Sequence, residues 1–272
     1  MHQENAITPA NQRVLKNHTS IIQAVRDSLI MANRNLRKMR RTPEQFADVT
    51  IQPILFPVMF GYIFGGAISG NVKAYLPLLI PGILAMTVLT TSQVTGTQLR
   101  EDMDKGVFNR FRSLPIARIA PLAGALIADT LRYAIAAVLT FAVGYVMGYH
   151  PQAGLGGVVA GIILTIGVAW CLSWIFAFIG TMARSSSSVQ AIAFIFLFPL
   201  TFLSNSFVPV TTLPGWMQAF VKVNPISHLV SAVRQLANVG TIGHDFWYCL
   251  LGALIVVLVF APLTVRAYMR KA

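Results

Sequence analysis

The sequence predicts an all-α polytopic membrane protein with six transmembrane helices, and two observations support this class. The chain is 55% hydrophobic and only 11% charged, whereas soluble domains carry about 25% charged residues. The apolar residues also form blocks of about 20 residues, which is the length that a helix needs to cross a bilayer. Lipid is therefore the expected solvent for most of the apolar side chains, because no single soluble core could bury them all.

The charge and the cysteines exclude several other classes. The net charge is +12, but the basic residues lie in short connections between apolar blocks, so we expect no nucleic-acid partner. Cys171 and Cys249 each lie inside an apolar block, without disulfide or metal-ligand spacing. We interpret both as small hydrophobic side chains, and no metal or other cofactor is predicted for this chain.

The N-terminal segment divides into two parts. Residues 1–19 are predicted to form a disordered cytoplasmic arm, and no signal-peptide pattern precedes the first span. Residues 20–43 are predicted to form an amphipathic interfacial helix, because apolar residues recur at spacings of three and four and basic residues lie on other faces. Its apolar stripe is Ile22, Val25, Leu29, Ala32, Leu36 and Met39, and its candidate basic contacts are Arg34, Arg37 and Arg41. The helix either rests on anionic lipid or packs against a partner subunit.

Residues 44–272 are predicted to form one domain with six spans. The predicted spans are 50–69, 76–97, 120–148, 155–181, 189–206 and 246–267. Several of them contain proline, which spanning helices tolerate because neighbouring helices can satisfy the freed backbone groups.

The distribution of lysine and arginine predicts the orientation. The N-terminal segment, the second and fourth connections and the C-terminal tail together hold 17 of these residues, whereas the remaining connections hold 3. Basic residues favour the cytoplasmic side. We therefore expect both termini in the cytoplasm of a cell with a bacterial-type plasma (inner) membrane.

The second connection, residues 98–119, is the longest loop on the predicted cytoplasmic side. It holds acids, arginines and two phenylalanines, more chemistry than a bare connector needs, although a solvated charged loop stays an alternative. Its apolar residues fit one face of a short helix that ends at Leu114-Pro115. The candidate functional residues are Glu101, Asp102, Asp104, Gly106, Phe108, Arg110, Phe111, Arg112 and Pro115. Glu101 is the residue that we expect to hold this loop against the N-terminal basic helix.

Two ionisable residues lie within a predicted span. Asp129 and Arg132 are three residues apart on the third span, so their side chains can pair. A structural ion pair is the favoured interpretation. A proton-carrying role for Asp129 is the alternative, because ionisable groups in membranes often mark ion pathways.

The fifth connection, about 207–245, contains two short helical patterns that are too short to span a membrane. The second begins at Asn224-Pro225, a helix cap followed by proline at the first helical position. We expect an external re-entrant helical hairpin. Its candidate functional residues are Pro214, Trp216, Asn224, Pro225 and Arg234.

Short fragments along the chain resemble the permease subunits of type-2 ABC exporters, and within them the daunorubicin/doxorubicin-resistance permease family. The fragments are Arg34-Asn35-Leu36, Arg41-Thr42-Pro43, Gln52-Pro53, Phe64-Gly65-Gly66, Pro81-Gly82-Ile83, the loop from Glu101-Asp102 to Ile116, Ala128-Asp129 with Arg132, Phe207-Val208-Pro209 with Leu213-Pro214, and Asn224-Pro225 with Arg234. The resemblance extends from about Asn33 to the end of the chain. It rests on the order and spacing of these fragments within one six-span chain.

The resemblance implies a mechanism and partners. Two six-span halves, as a homodimer or a paralogue heterodimer, would associate with two copies of a cytoplasmic ABC ATPase. The interfacial helix and a cytoplasmic coupling helix in the second connection would meet that ATPase, and the external hairpin would close the exit. The chain contains no G-x-x-x-x-G-K-[ST] pattern. We therefore expect no catalysis by this chain alone, with ATP and magnesium bound at the partner.

Other functions remain as alternatives at this point. A secondary, ion-coupled transporter would need ionisable residues deep in the membrane, and only Asp129 and Arg132 qualify. A membrane enzyme is disfavoured because His150, His228 and His244 are scattered, with no ligand spacing around them. An amphiphilic drug-like or lipid-like substrate is favoured by the phenylalanines and methionines. A polysaccharide or lipid-linked glycan exporter is the alternative within the same superfamily.

Overall fold

The computed structural model describes residues 21–107 and 119–271, and within these residues the regular structure is helical, without strands. A 3-10 turn is formed by Val210–Thr212. The helices are α1 Ile21–Arg41, α2 Pro43–Ser69, α3 Val72–Ser92, α4 Val94–Asp104, α5 Ala120–Val146, α6 Gly154–Met182, α7 Ser186–Phe202, α8 Gly215–Val223, α9 Pro225–Asn238 and α10 His244–Lys271. The predicted all-α class is confirmed. Residues 1–20, which include the predicted arm, and residues 108–118 of the second connection lie outside the described residues.

Among the described residues, five segments are long and apolar enough to cross a membrane. They are Val49–Ser69, Val72–Asp104, Ala120–Val146, Gly154–Met182 and His244–Arg270. The second of these joins α3 to α4 through a bend at Gln93, so it is longer than the predicted span 76–97. The predicted span 189–206 corresponds to α7, which is shorter at 17 residues. A six-span arrangement therefore stays a prediction.

Side-chain caps and prolines explain where several helices begin. Asn71 Oδ1 accepts a hydrogen bond from the Ala74 amide at 2.8 Å before α3, and Ser185 Oγ accepts one from Ser188 before α7. Asn224 accepts from the Ile226 amide at 2.9 Å before α9, and Pro225 occupies the first position of that helix. These contacts satisfy amide groups that a helix leaves without a partner at its start.

The helix α3 lies at the centre of the bundle. Most of its side chains are buried, and its contacts include α2, α5, α6 and α9. By contrast, only 11% of the most apolar stretch of α10 is buried. The helices α2 and α7 also expose many large apolar side chains. An apolar exterior around a packed centre is the arrangement expected when lipid surrounds the helices.

The helix α1 packs against the first half of α5. A Cβ atom at Gly124 of α5 would lie 2.5 Å from Met31 Cβ and 2.8 Å from the Ser28 carbonyl oxygen, so only glycine allows this approach. The predicted apolar stripe divides between two environments: Ala32 and Met39 are buried against the protein, whereas Ile22, Val25 and Leu29 are exposed. The helix therefore presents one face to the bundle and leaves an apolar edge uncovered.

Candidate functional site

One group of predicted residues lies where the end of α4 meets α1. Asp102 Oδ1 accepts a hydrogen bond from Lys38 Nζ at 3.3 Å, and Asp102 Oδ2 lies 3.8 Å from Arg34 Nη2. The carboxylate thus joins α4 to the basic helix. Because Arg34 is substantially exposed, the attraction is screened by solvent, and pairs of this kind contribute about 0.2–1 kcal/mol.

The acid that contacts α1 is Asp102, so the expectation for its neighbour Glu101 is wrong. Glu101 lies 3.6 Å from Lys105 within its own helix, and Asp104 pairs with Arg100. Adjacent residues on a helix point about 100° apart, so the rotation of α4 decides which acid faces α1.

The rest of the predicted coupling residues are only partly described. Gly106, next to the end of the described part of the loop, has φ 64°, in the left-handed region that favours glycine. Arg37 is exposed on α1. The side chain of Arg41 lies outside the described residues, as do Phe108, Arg110, Phe111, Arg112 and Pro115.

A second group is buried between α1, α4 and α5. Arg132 Nη1 donates to Asp129 Oδ1 at 2.8 Å, and Thr95 Oγ1 of α4 donates to Asp129 Oδ2 at 2.5 Å. Arg132 Nε donates to Met39 Sδ of α1 at 3.3 Å. Asp129 and Arg132 are each only 1% exposed. The pair therefore connects the three helices that form this end of the bundle.

An open cavity of about 630 Å³ lies between α2, the α3–α4 bend and α7. Its apolar lining includes four aromatic rings, those of Phe56, Phe194, Phe198 and Phe202. Its polar lining includes Gln52, Thr90, Thr91, Gln93 and Arg132. Aromatic walls with a few hydrogen-bonding groups are typical of a site for an organic ligand.

Sequence reasoning did not identify this cavity. Thr90 Oγ1 donates a hydrogen bond to Gln52 Oε1 at 3.3 Å across the cavity. In the sequence, Gln52 was noted only as part of the family fragment Gln52-Pro53. One local signal was present, because Phe194, Phe198 and Phe202 recur every four residues and therefore share one face of α7.

The predicted external hairpin corresponds to α8 and α9. Pro214 precedes α8, and Trp216 on α8 is 67% exposed. Asn224, at the elbow between the two helices, also donates through Nδ2 to the Leu200 carbonyl oxygen at 2.6 Å. The elbow is therefore attached to the end of α7, two residues before Phe202.

The polar face of α9 is bound to α3 and to residues 203–208. We name Asn205, Ser231, Arg234 and Asn238 the polar clasp. Arg234 Nη2 donates to the carbonyl oxygens of Leu78 and Asn205, each at 3.0 Å. Asn238 Nδ2 donates to the Pro77 carbonyl oxygen at 2.9 Å, and Asn205 Nδ2 donates to Ser231 Oγ at 2.8 Å.

Proline explains why α3 has an acceptor available for the clasp. Pro81 has no amide hydrogen, so the carbonyl four residues earlier, that of Pro77, has no helical donor. Asn238 supplies the missing donor, and its own Oδ1 accepts from Tyr149 Oη at 2.6 Å. Burial lowers the pKa of Arg234 to about 10 and raises the pKa of Tyr149 to about 12. Arg234 is therefore still a cation, and Tyr149 still a donor, at neutral pH.

A contact at the same end of the bundle was not predicted. His228 Nδ1 of α9 lies 2.6 Å from Asp245 Oδ1 of α10. The sequence showed no carboxylate near this histidine, because the two residues belong to different helices. Within the described residues, no three histidine, cysteine or acidic side chains are grouped as a metal site would require.

Comparisons with known proteins agree on one family. The ABC-2 type transporter profile matches residues 27–237. The chain is 40% identical over 253 residues to the daunorubicin resistance ABC transporter permease protein DrrB1 of Streptomyces coeruleorubidus, covering 91% of this chain and 88% of that protein. It is 25% identical over 225 residues to the probable doxorubicin resistance ABC transporter permease protein DrrC of Mycobacterium tuberculosis, covering 80% and 79%. It is also 24% identical over 242 residues to the putative transport permease ycf38 of Pyropia yezoensis, covering 85% and 79%.

Proposed function

This chain belongs to the ABC-2 type transporter family as the membrane subunit of an ABC exporter, and we propose that it moves an amphiphilic, drug-like or lipid-like substrate out of the cytoplasm. It is the permease and not the catalytic component, so the ATP is hydrolysed by a partner ATPase. The drug-like substrate is supported by the names of two relatives, because DrrB1 is named a daunorubicin resistance permease and DrrC a probable doxorubicin resistance permease. The resemblance seen in the sequence is confirmed at the level of the family.

The proposed topology has six spans and both termini in the cytoplasm of a bacterial-type plasma membrane. The bias of basic residues supports the orientation. For the predicted span 189–206, the fifth in chain order, α7 has 17 residues, which is about 25 Å of helix. This length reaches the lower limit for a spanning helix. In this topology α1 and the end of α4 lie on the cytoplasmic side, and the polar clasp lies towards the outside.

The proposed assembly contains two permease halves and two ATPase subunits that bind ATP with magnesium. Asp102, held by Lys38 and Arg34, would anchor the loop that meets the ATPase. Phe108 and Phe111 of that loop would fill a cleft on the ATPase, with Arg110 and Arg112 at the rim, because exposed aromatic rings favour burial in a partner. Whether the second half is an identical chain or a paralogue would follow from co-purification of two differently tagged copies.

The observation that carries the proposed substrate class is the cavity between α2, α3 and α7. Its aromatic walls would contact the apolar body of an amphiphile, while Gln52, Thr90 and Thr91 would meet its polar end. The exposed rings of Phe194 and Phe198 lie on α7, so a molecule dissolved in lipid could reach them laterally.

Transport by the reconstituted complex tests this function. The purified complex with its ATPase is placed in liposomes, and ATP-dependent transport of a fluorescent aromatic amphiphile is measured. We expect Phe198→Ala to lower transport at limiting substrate, because Phe198 lines the cavity. Phe196→Ala is the matched control, since Phe196 lies on the same helix and is exposed outside the cavity lining. Equal loss in both variants, or no ATP-dependent transport by the wild-type complex, would contradict the proposal.

A further inference from the structure

The polar clasp lies directly beyond one end of the cavity. Thr201 and Phe202, the last residues of α7, line the cavity, and residues 203–208 continue from them to the clasp. These residues cross α3 so closely that a Cβ atom at Gly82 would lie 2.2 Å from the Ser206 carbonyl oxygen. Tyr75 Oη also donates to the Phe207 carbonyl oxygen at 2.7 Å. A molecule leaving the cavity towards the clasp would have to separate this segment from α3.

Arg234 joins the two sides of that closure. The same nitrogen, Nη2, contacts Leu78 on α3 and Asn205 on the segment after α7. The helix that carries Arg234 is itself fixed, because the apolar face of α9, including Leu229, Val230 and Val233, is buried in the core. The segment after α7 is held to α3 by the hydrogen bonds of Tyr75 and Arg234, and the ring of Phe207 also packs in the core against Phe60.

The bonding of the clasp is incomplete. Arg234 Nε and Asn205 Oδ1 are buried and make no hydrogen bond with the described protein atoms. No carboxylate of the described residues forms an ion pair with Arg234. Buried polar groups without partners destabilise the arrangement that buries them. A contact that must open during each transport cycle needs this limited stability, whereas a permanent joint does not.

The opposite end of α3 leads to the site of coupling. Through the bend at Gln93, α3 continues into α4, where Asp102 contacts Lys38 and Arg34 of α1. A displacement of α4 would therefore be transmitted along one connected segment to Pro77 and Leu78. Such a connection between two sites requires an element with two discrete arrangements, and a clasp that is either formed or broken provides one.

We propose that Arg234 is a positioning residue that holds the exit of the cavity closed by joining α3 to residues 203–208, and that export requires its hydrogen bonds to break. The proposal rests on the exporter function and on the cavity as the substrate site. Asn238 assists by holding α9 to the Pro77 carbonyl group, and Ser231 assists by holding Asn205.

The accessibility of the cavity from outside tests the proposal. Thr201→Cys is introduced into a chain that carries Cys171→Ala and Cys249→Ala, and the complex with its ATPase is reconstituted without ATP. An impermeant thiol reagent is added outside, and its rate of reaction is measured. We expect Arg234→Met to raise this rate about tenfold, because a charge-assisted hydrogen bond that closes the exit is lost. Arg234→Lys should give an intermediate labelling rate, because lysine keeps the positive charge but lacks the guanidinium geometry that contacts both carbonyl groups.

Lys222→Met is the matched control, because Lys222 is an exposed cation on the neighbouring helix α8. The Lys222→Met protein should be labelled at the same rate as the protein in which Lys222 and Arg234 are both unchanged. Equal labelling rates for Arg234, Arg234→Lys and Arg234→Met, at matched amounts of folded complex, would overturn the proposal. Transport by Phe198→Ala is measured separately: an unchanged transport rate would contradict the cavity as the substrate site, while the effect of Arg234→Met on labelling would still test the clasp. Failure of the substrate assignment is therefore distinguishable from failure of the clasp.

A cross-link tests the clasp with Arg234 in place. Asn205→Cys and Ser231→Cys replace two side chains that are in contact, in the same chain without Cys171 and Cys249. Oxidation should stop ATP-dependent export while the ATPase stays bound, and reduction should restore export. Full export by the oxidised protein would show that the exit does not open at this contact, which also overturns the proposal.

Discussion

At the scale of single residues, the pair of Asp129 and Arg132 has the most complete set of described contacts. The carboxylate receives hydrogen bonds from Arg132 and Thr95, and Arg132 also reaches Met39 and the cavity lining. A buried ion pair contributes little net stability on its own, but the loss of one partner leaves an uncompensated charge. The pair therefore connects α1, α4 and α5 beside the cavity.

Substitution of this pair separates a structural role from a proton-carrying role. Asp129→Asn should destabilise the protein by about 3–5 kcal/mol, because Arg132 is left buried without a counter-charge. Arg132→Gln combined with Asp129→Asn should restore part of that loss. Thermal stability of the purified protein in detergent is the measurement. A single mutant of normal stability whose transport defect depends on pH would instead support the alternative that Asp129 carries protons.

At the scale of helices, the structure describes a contact between α1 and α4, next to the loop that we propose meets the ATPase. The amphipathic pattern of α1 indicated a helix with an apolar face on the membrane, and part of that face is exposed. The opposite face, which includes Asp27, Ser28 and Asn35, is buried instead. Small and polar side chains are common where helices approach closely within membrane proteins. Its basic residues also reach Asp102, so α1 is attached to the segment that leads into the proposed coupling loop.

The two adjacent acids of α4 provide a matched test of that attachment. Asp102→Ala should lower export per ATP hydrolysed, because α4 loses its contact with Lys38 and Arg34. Glu101→Ala is the control, since Glu101 pairs only with Lys105 on its own helix among the ion pairs described. The stability change should be small, about 0.2–1 kcal/mol, because the pair is partly exposed. The measurement is the ratio of substrate transported to ATP hydrolysed. A larger decrease of this ratio in Glu101→Ala than in Asp102→Ala would contradict the assignment of Asp102 as the acid that attaches α4 to α1.

At the scale of the whole molecule, the bundle has two different ends and a cavity between them. One end holds α1, the end of α4 and the buried ion pair, and the other holds α9, the polar clasp and the contact of His228 with Asp245. The helices α2, α7 and α10 carry many exposed large apolar side chains. An exporter needs this division, because the force from the ATPase and the exit of substrate act at opposite faces of the membrane.

The orientation of these ends is tested by labelling from outside the cell. Single cysteines at Lys73 and Thr241 should react with an impermeant thiol reagent, because both lie on the predicted external side. A cysteine at Arg184 should react only after the membrane is permeabilised. The reverse pattern would contradict the orientation that the basic residues predict.

The division of labour with the ATPase is tested by purifying this chain alone. We expect no ATP hydrolysis and no nucleotide binding, since the sequence lacks a phosphate-binding loop of the Walker A type. Both activities should appear when the partner ATPase is added. Hydrolysis that persists after rigorous removal of the partner would contradict the assignment of the chain as a permease.

The sequence by itself determined that this is a membrane protein, that its architecture is helical, and to which family it belongs. Hydropathy and helical periodicity depend on residues that are near one another in the chain, so the membrane helices, the caps at Asn224 and Pro225 and the family fragments could all be predicted. The spacing of Asp129 and Arg132 is local in the same sense. These predictions required no knowledge of how the helices pack.

Only the tertiary structure decided which of these groups meet. It chose Asp102 over Glu101 for contact with α1, because that choice depends on the rotation of α4 about its axis. It brought Asn238 to the Pro77 carbonyl group across 161 residues, and it formed the cavity from three helices that are distant in the chain. Proline reveals which carbonyl group needs a donor, but only the crossing of two helices determines which side chain supplies it.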